Sequence, residues 1–154
     1  MANVEKSIDV NVPVRTAYNQ WTQFEDFPHF MDGIESVKQL DATHLHWKAN
    51  IVGYEKDWDA VVTEQTPDQR IAWTSTSGAK NAGVVTFHRI DDDKTRVMLQ
   101  LDYEPDNWIE SAGTLLGFVE GRIKGDLDNF KKFIESRGSE TGAWRGEVDQ
   151  TKVT

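Results

Sequence analysis

Hydrophobic and polar residues alternate in short stretches over most of the chain up to Tyr103, which is the period of strands with one buried face. The stretch 44–51 has apolar side chains on one face and polar ones on the other. The same pattern predicts strands at 4–10, 56–64, 70–75, 84–90 and 95–103, and a weaker one at 34–40. Connections this short leave no room for crossover helices, so the predicted sheet is antiparallel and meandering.

Helical spacing occurs at two places. After the first strand, Pro13 suits a helix start, and a second short helical stretch runs from Phe24 to Met31, interrupted at Pro28. A long helix is predicted from Trp108 to Glu135, with its apolar stripe at Ala112, Leu116, Val119, Ile123, Leu127, Phe130 and Ile134. The predicted class is α+β: a curved antiparallel sheet of about seven strands wrapped around a long C-terminal helix, with two short helices after strand 1.

Composition excludes several classes of protein. The 154 residues are 38% hydrophobic and 28% charged, which is typical of a globular domain. Cysteine is absent, so disulfides, thiolate zinc sites and cysteine nucleophiles are excluded. A net charge of −9 disfavours binding to nucleic acid or to anionic membranes, and no apolar run is long enough to span a bilayer. No secretory signal is evident, which favours a cytoplasmic location.

The predicted domain covers residues 1–137, and residues 138–154 form a C-terminal tail rich in Gly, Thr and charge. Without apolar periodicity, this tail is expected to have low order. Trp144, next to Arg145, leaves two alternatives open. The indole packs on the domain or on a neighbouring subunit, over the glycines of the last helix, or it stays exposed in a disordered tail.

Several segments carry a resemblance to a known family: SIDVNVPVRTAYNQWTQFEDFPHFM, DWDAVVTEQTPDQRIAW, GVVTFHRI and GTLLGFVEGRIKGDLDNFKKFIE. Together they resemble the START-like (SRPBCC) helix-grip superfamily, in particular its bacterial polyketide cyclase/dehydrase and coenzyme-Q-binding-like branch. The resemblance covers roughly residues 1–137. It implies a deep apolar cavity between the sheet and the long helix, and it transfers no catalytic residue, because the superfamily includes both enzymes and pure binders.

Aromatic residues are the first candidate site. Three successive strands each have one tryptophan on the face that carries the apolar residues: Trp47, Trp58 and Trp73. We therefore expect a row of indoles facing the long helix. Such residues form ordinary cores, but in a sheet–helix gap they also line ligand cavities. The predicted ligand-binding set is Trp21, Phe27, Phe30, Met31, Trp47, Trp58, Trp73, Phe87, Leu101, Tyr103, Leu116, Val119 and Ile123.

Polar groups that could move protons inside such a cavity are few. The weak catalytic candidates are the polar residues that the patterns place on or near the buried face: Arg89, Tyr103, Arg122 and Asp126. Arg122 and Asp126 are expected to form an ordinary i,i+4 salt bridge. No nucleophile elbow or phosphate-binding loop is present, so no cofactor is predicted.

Histidines and glycines complete the candidates. His44 and His46 have the spacing of a metal-binding pair, but they share a polar outer face with Lys48, so no metal site is predicted. Glycines recur every fourth residue in the last helix, at Gly113, Gly117, Gly121 and Gly125. They leave three alternatives. The first is a close-packed partner, either a second subunit, which would make a homodimer, or the folded-back tail. The second is a gate for ligand entry, and the third is no function beyond family inheritance with a frayed first turn.

The leading hypothesis is a carrier or sensor that binds a hydrophobic small molecule, such as a lipid, quinone or polyketide. The alternative is a polyketide aromatase/cyclase or dehydratase that uses the same cavity. The resemblance also implies a third hypothesis, a toxin-like protein that interacts with ribosomes, because some members of the superfamily do so; the −9 charge disfavours it. The predicted partner is therefore a hydrophobic ligand, with no nucleic acid and no membrane span.

Overall fold

The computed structural model describes residues 2–51, 53–104 and 112–149. The elements in chain order are β1 (Ala2–Val10), α1 (Val14–Trp21), a 3₁₀ helix (Phe24–His29), β2 (Ile34–Gln39), β3 (His44–Ile51), β4 (Tyr54–Thr66), β5 (Arg70–Gly78), β6 (Asn81–Asp91), β7 (Lys94–Tyr103), α2 (Ala112–Arg137) and β8 (Val148–Asp149). The predicted α+β helix-grip class is confirmed. Trp108, where the long helix was expected to begin, lies outside the described residues.

One antiparallel sheet contains the long strands in the order β1-β7-β6-β5-β4-β3-β2. Hairpins connect successive strands from β2 to β7, as the short turns predicted, and β1 closes the other edge by pairing with β7. The register shifts at bulges between Ile34 and Ser36 in β2, at two points along the β4–β5 pair, and between Arg89 and Asp91 in β6. Bulges increase local twist and bend the strands, which helps the sheet to curl towards α2.

The second half of α2 forms the centre of the core. Ile123, Leu127, Phe130 and Ile134 are buried, as the predicted stripe requires. The Phe130 ring lies 4.8 Å from the Trp21 ring and 5.2 Å from the Phe30 ring, between centroids. Complete burial of a side chain of this size stabilises the fold by roughly 1.5–3 kcal/mol.

The C-terminal segment, residues 138–149, docks on the domain, so the low order expected from its composition is not what the structure shows there. Gln20 of α1 is fully buried; its amide donates to Oγ1 of Thr141 (3.1 Å) and accepts from the Thr141 N–H (2.9 Å). Arg145 donates to Oδ1 of Asn19 (2.6 Å) and to Oδ2 of Asp68 (2.8 Å).

Trp144 and β8 complete this docking. β8 pairs with β4, opposite Glu64 and Gln65, and the Trp144 N–H donates to Oγ1 of Thr22 (3.1 Å). The Trp144 indole lies over Gly146 and stays 37% exposed. The segment therefore packs against α1 and β4, and the expected position over the glycines of the last helix is wrong.

Candidate functional site

A cavity of about 140 Å³ lies between the concave face of the sheet and α2. Its walls come from the end of α1, from the 3₁₀ helix and the turn after it, from the strands β2 to β7, and from α2. Almost all wall atoms are apolar. The lining residues are Trp21, Phe24, Phe27, Met31, Ile34, Leu45, Trp47, Trp58, Val62, Ile71, Trp73, Asn81, Leu99, Leu101, Tyr103, Phe118, Val119, Arg122, Ile123, Asp126 and Leu127.

The predicted indole row is only partly formed. Trp47 and Trp58 are direct cross-strand neighbours, and their rings stack with centroids 5.6 Å apart and planes at 12°. Trp73 lies opposite Val62 instead, because Trp58 pairs with Gly78 at the far end of β5. All three indoles reach the cavity, but Trp73 forms a separate wall.

Trp73 keeps its position through a glycine and an asparagine. Its ring covers Gly83, the cross-strand partner on β6, where any Cβ would collide with the indole. Its Nε1–H donates to Oδ1 of Asn81 (3.1 Å), and the buried Asn81 amide donates in turn to the Ala79 carbonyl (3.0 Å). The missing side chain at Gly83 therefore lets the Trp73 ring lie flat on β6 and form this wall of the cavity.

Most of the predicted ligand-binding residues line the cavity, namely Trp21, Phe27, Met31, Trp47, Trp58, Trp73, Leu101, Tyr103, Val119 and Ile123. Phe30 and Phe87 do not. Phe30 packs on Phe133 (5.4 Å) as well as Phe130, and Phe87 packs on Tyr18 (5.3 Å). Both belong to the solid core beside the cavity. The side chain of Leu116 lies outside the described residues, and binding itself stays a prediction for all of them.

Sequence reasoning missed other wall residues. Several had the correct inward parity and could have been found from it: Ile34, Leu45, Val62, Ile71, Leu99 and Leu127. Phe24 and Phe118 lie on helical elements that were predicted. Asn81 gave no signal, because β6 was expected to begin only at Val84, whereas it begins three residues earlier.

The catalytic candidates separate into two groups. The expected place of Arg89 inside the cavity is wrong: its side chain is 60% exposed and forms an ion pair with Asp92, because the last four residues of β6, from His88 to Asp91, are all exposed. Tyr103 lines the cavity. Burial, and to a smaller extent the charge of Glu120, raises the pKa of the Tyr103 hydroxyl, so this group stays protonated near neutral pH.

Arg122 and Asp126 both reach the cavity wall, but the expected salt bridge between them is not formed. The Arg122 guanidinium lies 5.0 Å from the Phe118 ring centroid, and its Nη1 is 3.9 Å from Oδ2 of Asp32. Oδ1 of Asp126 accepts from the backbone N–H of Asp32 (3.3 Å). Burial raises the pKa of Asp126 to about 7, although this hydrogen bond and the Arg122 charge both lower it.

A second concave region, the vestibule, adjoins this polar group on the outside. It measures about 320 Å³ and is lined by Asp32, Phe118, Gly121, Arg122, Gly125 and Asp126. Phe118, Arg122 and Asp126 line both the vestibule and the cavity. A Cβ added at Gly121 or Gly125 would meet no atom within 4 Å, so these two of the repeated glycines border open space.

The histidines lie on the opposite, outer face of the sheet. Nδ1 of His46 is 2.7 Å from Oδ1 of Asp59, whose Oδ2 accepts from the Ser77 hydroxyl (2.8 Å). These two hydrogen bonds lower the pKa of Asp59. Among residues 2–51, 53–104 and 112–149, no group of three or more His or acidic side chains could hold a metal ion.

Comparison with known proteins agrees with this geometry. Residues 10–132 match the family model described as polyketide cyclase/dehydrase and lipid transport. The chain belongs to this family. An uncharacterized 17.2 kDa protein in the melC2-rnhH intergenic region of Streptomyces lincolnensis is 59% identical over 149 residues, which are 96% of this chain and 99% of that protein.

Two solved structures share the fold. A START superfamily protein from Mycobacterium smegmatis has a TM-score of 0.78 at 15% identity, covering 88% of this chain and 98% of that one. The Zhui aromatase/cyclase from Streptomyces sp. R1128 has a TM-score of 0.73 at 14% identity, covering 93% of this chain and 99% of that one. In the described part of this family member, no helix is both long and apolar enough to cross a bilayer.

Proposed function

We propose that this protein binds a small apolar molecule in the cavity between the sheet and α2. The observation that carries this proposal is the almost wholly apolar wall, to which Trp47, Trp58 and Trp73 contribute large rigid surfaces. A dry apolar cavity of about 150 Å³ is large enough to bind benzene. A cavity of about 140 Å³ therefore favours a ligand with about one ring or a short alkyl chain in the inner site.

The first test asks what the purified protein carries. Native mass spectrometry and organic extraction should reveal a bound apolar molecule, or titration with propylbenzene should shift the NMR signals of cavity residues. A chain that carries no ligand and binds neither propylbenzene nor any member of a lipid and quinone library would contradict the proposal.

A matched pair of variants tests the position of the site. Val119→Phe places a ring inside the cavity and should reduce propylbenzene affinity at least tenfold. Val84→Phe makes the same change on the outward face of β6, where Val84 alternates with the buried Val85, and should leave affinity unchanged. Equal effects of the two changes would place the ligand elsewhere.

An enzyme that cyclises or dehydrates a poly-β-keto chain is the second candidate, and Asp126 supports it. A carboxyl group with a pKa of about 7 at an apolar wall suits general acid–base catalysis, and Arg122 beside it could stabilise a developing enolate. The small inner volume ranks this candidate second. Adding the protein to a minimal polyketide synthase should change the product profile, and Asp126→Asn should abolish that change; an unaltered profile would contradict the enzyme hypothesis.

The remaining expectations support no separate function. The ribosome-interaction hypothesis gains no observation from the described residues, and the net charge of −9 still disfavours it. A cytoplasmic location, the homodimer and the absence of a nucleic-acid partner stay predictions. A pull-down at physiological salt that recovered ribosomal subunits in equal amounts would reverse this ranking.

A further inference from the structure

The vestibule adds an outer compartment with charged side chains to the apolar cavity, and its residues specify the ligand more closely. This inference rests on the proposed binding of an apolar molecule. We propose that the vestibule binds the neutral hydroxyl head group of an amphipathic ligand, an alcohol or a phenol, whose hydrocarbon body fills the cavity.

Adjacency of the two compartments is the first argument. Phe118, Arg122 and Asp126 line both of them, so only these three side chains have to make room for a molecule that extends from the cavity into the vestibule. Gly121 and Gly125 keep the vestibule open, because neither has a side chain and both border empty space. A single ligand can therefore place its apolar part inside and its polar end at this outer site.

Hydrogen-bonding capacity is the second argument. The Arg122 guanidinium can only donate, and an ionised Asp126 carboxylate can only accept. One hydroxyl oxygen can accept from Arg122 and donate to Asp126. Burial raises the pKa of Asp126 to about 7, which indicates that the carboxylate is poorly hydrated. A hydroxyl of the ligand would donate a hydrogen bond in place of the missing water.

Local charge excludes the other head groups. An anionic head could pair with Arg122, but it would lie beside the carboxyl groups of Asp32 and Asp126, which repel it when ionised. A cationic head that binds between these carboxyl groups lies close to the Arg122 guanidinium, which is 3.9 Å from Asp32 and repels it. A neutral hydroxyl avoids both repulsions and does not require a charge to leave water.

Four probes with one hydrocarbon skeleton test the head group: propylbenzene, 4-propylphenol, 4-propylbenzoate and 4-propylbenzylammonium. Calorimetric or NMR titration of the whole chain should give at least tenfold tighter binding of the phenol than of propylbenzene. The benzoate and the ammonium compound should bind no more tightly than propylbenzene. Tighter binding of either charged probe than of the phenol would overturn the proposal.

Variants then test which residues cause the preference for the phenol. For each variant, the preference is the ratio of the affinity for 4-propylphenol to the affinity for propylbenzene. Arg122→Met and Asp126→Leu should reduce this ratio below threefold, and Gly125→Leu should do the same by filling the vestibule. The exposed residues Lys124 and Asp128 provide matched controls, because Lys124→Met and Asp128→Leu should keep the wild-type ratio. Melting curves verify that each variant folds.

The outcomes separate the two proposals. If propylbenzene binds and the phenol binds no more tightly, the head-group subsite is wrong and the apolar site stands. The same conclusion follows if the phenol still binds more tightly than propylbenzene in Arg122→Met, Asp126→Leu and Gly125→Leu. If none of the four probes binds and the purified protein carries no ligand, the proposed function fails, and this inference fails with it.

Discussion

Asp126 has a pH-dependent effect on stability that its neutral isostere should remove. The side chain is only partly exposed at the junction of the cavity and the vestibule, and burial raises its pKa from 3.8 to about 7. The native state therefore binds the proton more tightly than the unfolded chain does. Ionisation of Asp126 opposes folding, and Asp126→Asn keeps the shape of the side chain without the charge.

The sign and size of the effect follow by linkage. Because the folded-state pKa is raised, the stability associated with Asp126 is fully present below about pH 4 and is lost as pH rises through about 7. Each tenfold change in the ionisation constant corresponds to about 1.36 kcal/mol, so the loss between pH 4.5 and pH 8 is about 3 kcal/mol at most. Water that enters through the vestibule reduces it, and we expect about 2–3 kcal/mol.

Urea unfolding of both proteins at pH 4.5 and pH 8 measures this effect. The free energy of unfolding of Asp126→Asn, relative to wild type, should rise by about 2–3 kcal/mol between the two pH values. Asp128→Asn, an exposed neighbour on α2, should show no such rise. A relative stability of Asp126→Asn that is equal at both pH values would refute the reasoning, because the carboxyl would then ionise as it does in water.

Two further predictions concern stability away from the cavity wall. Gly125→Ala should raise the free energy of unfolding in urea by about 1 kcal/mol, because alanine has the higher helix propensity and the new Cβ meets no atom. Gly78→Ala should lower it, because φ at this position is 78° and the new Cβ would collide with backbone atoms. A destabilised Gly125→Ala would show that this face of α2 is covered. Arg145→Met should lower stability by about 1–2 kcal/mol through loss of its hydrogen bonds to Asn19 and Asp68, discounted for partial exposure. An unchanged melting temperature would mean that Arg145 does not hold the C-terminal segment.

Local periodicity was enough to predict the fold. The alternation in residues 44–51 placed Leu45, Trp47 and Ala49 on the buried face, where the structure has them. The stripe of the last helix likewise identified its buried side chains from Ile123 to Ile134. Both patterns depend only on the geometry of a strand or a helix, so neighbouring residues in the sequence contain the information.

The parts that could not be predicted depend on residues that are distant in sequence. The position of Arg89 failed because the end of β6 is exposed from His88 onwards, and alternation within one strand cannot reveal how far other elements cover the sheet. The partner of Arg122 is Asp32 rather than Asp126, and these two residues meet only when α2 lies on the turn after the 3₁₀ helix. The docking of Arg145 depends on Asn19 and Asp68, neither of which is near it in the chain.

The fold determines where a ligand lies, but the side chains determine which ligand fits. Structures with 14–15% identity share the sheet and the helix, and such identity leaves nearly every wall residue free to differ. In this chain the stacked Trp47 and Trp58 and the Trp73 ring on Gly83 line an inner volume of about 140 Å³. In the proposed site, a larger molecule would extend towards the border formed by Arg122 and Asp126. On this proposal the indoles limit the size of the apolar part, and the polar residues at its border select what is attached to it.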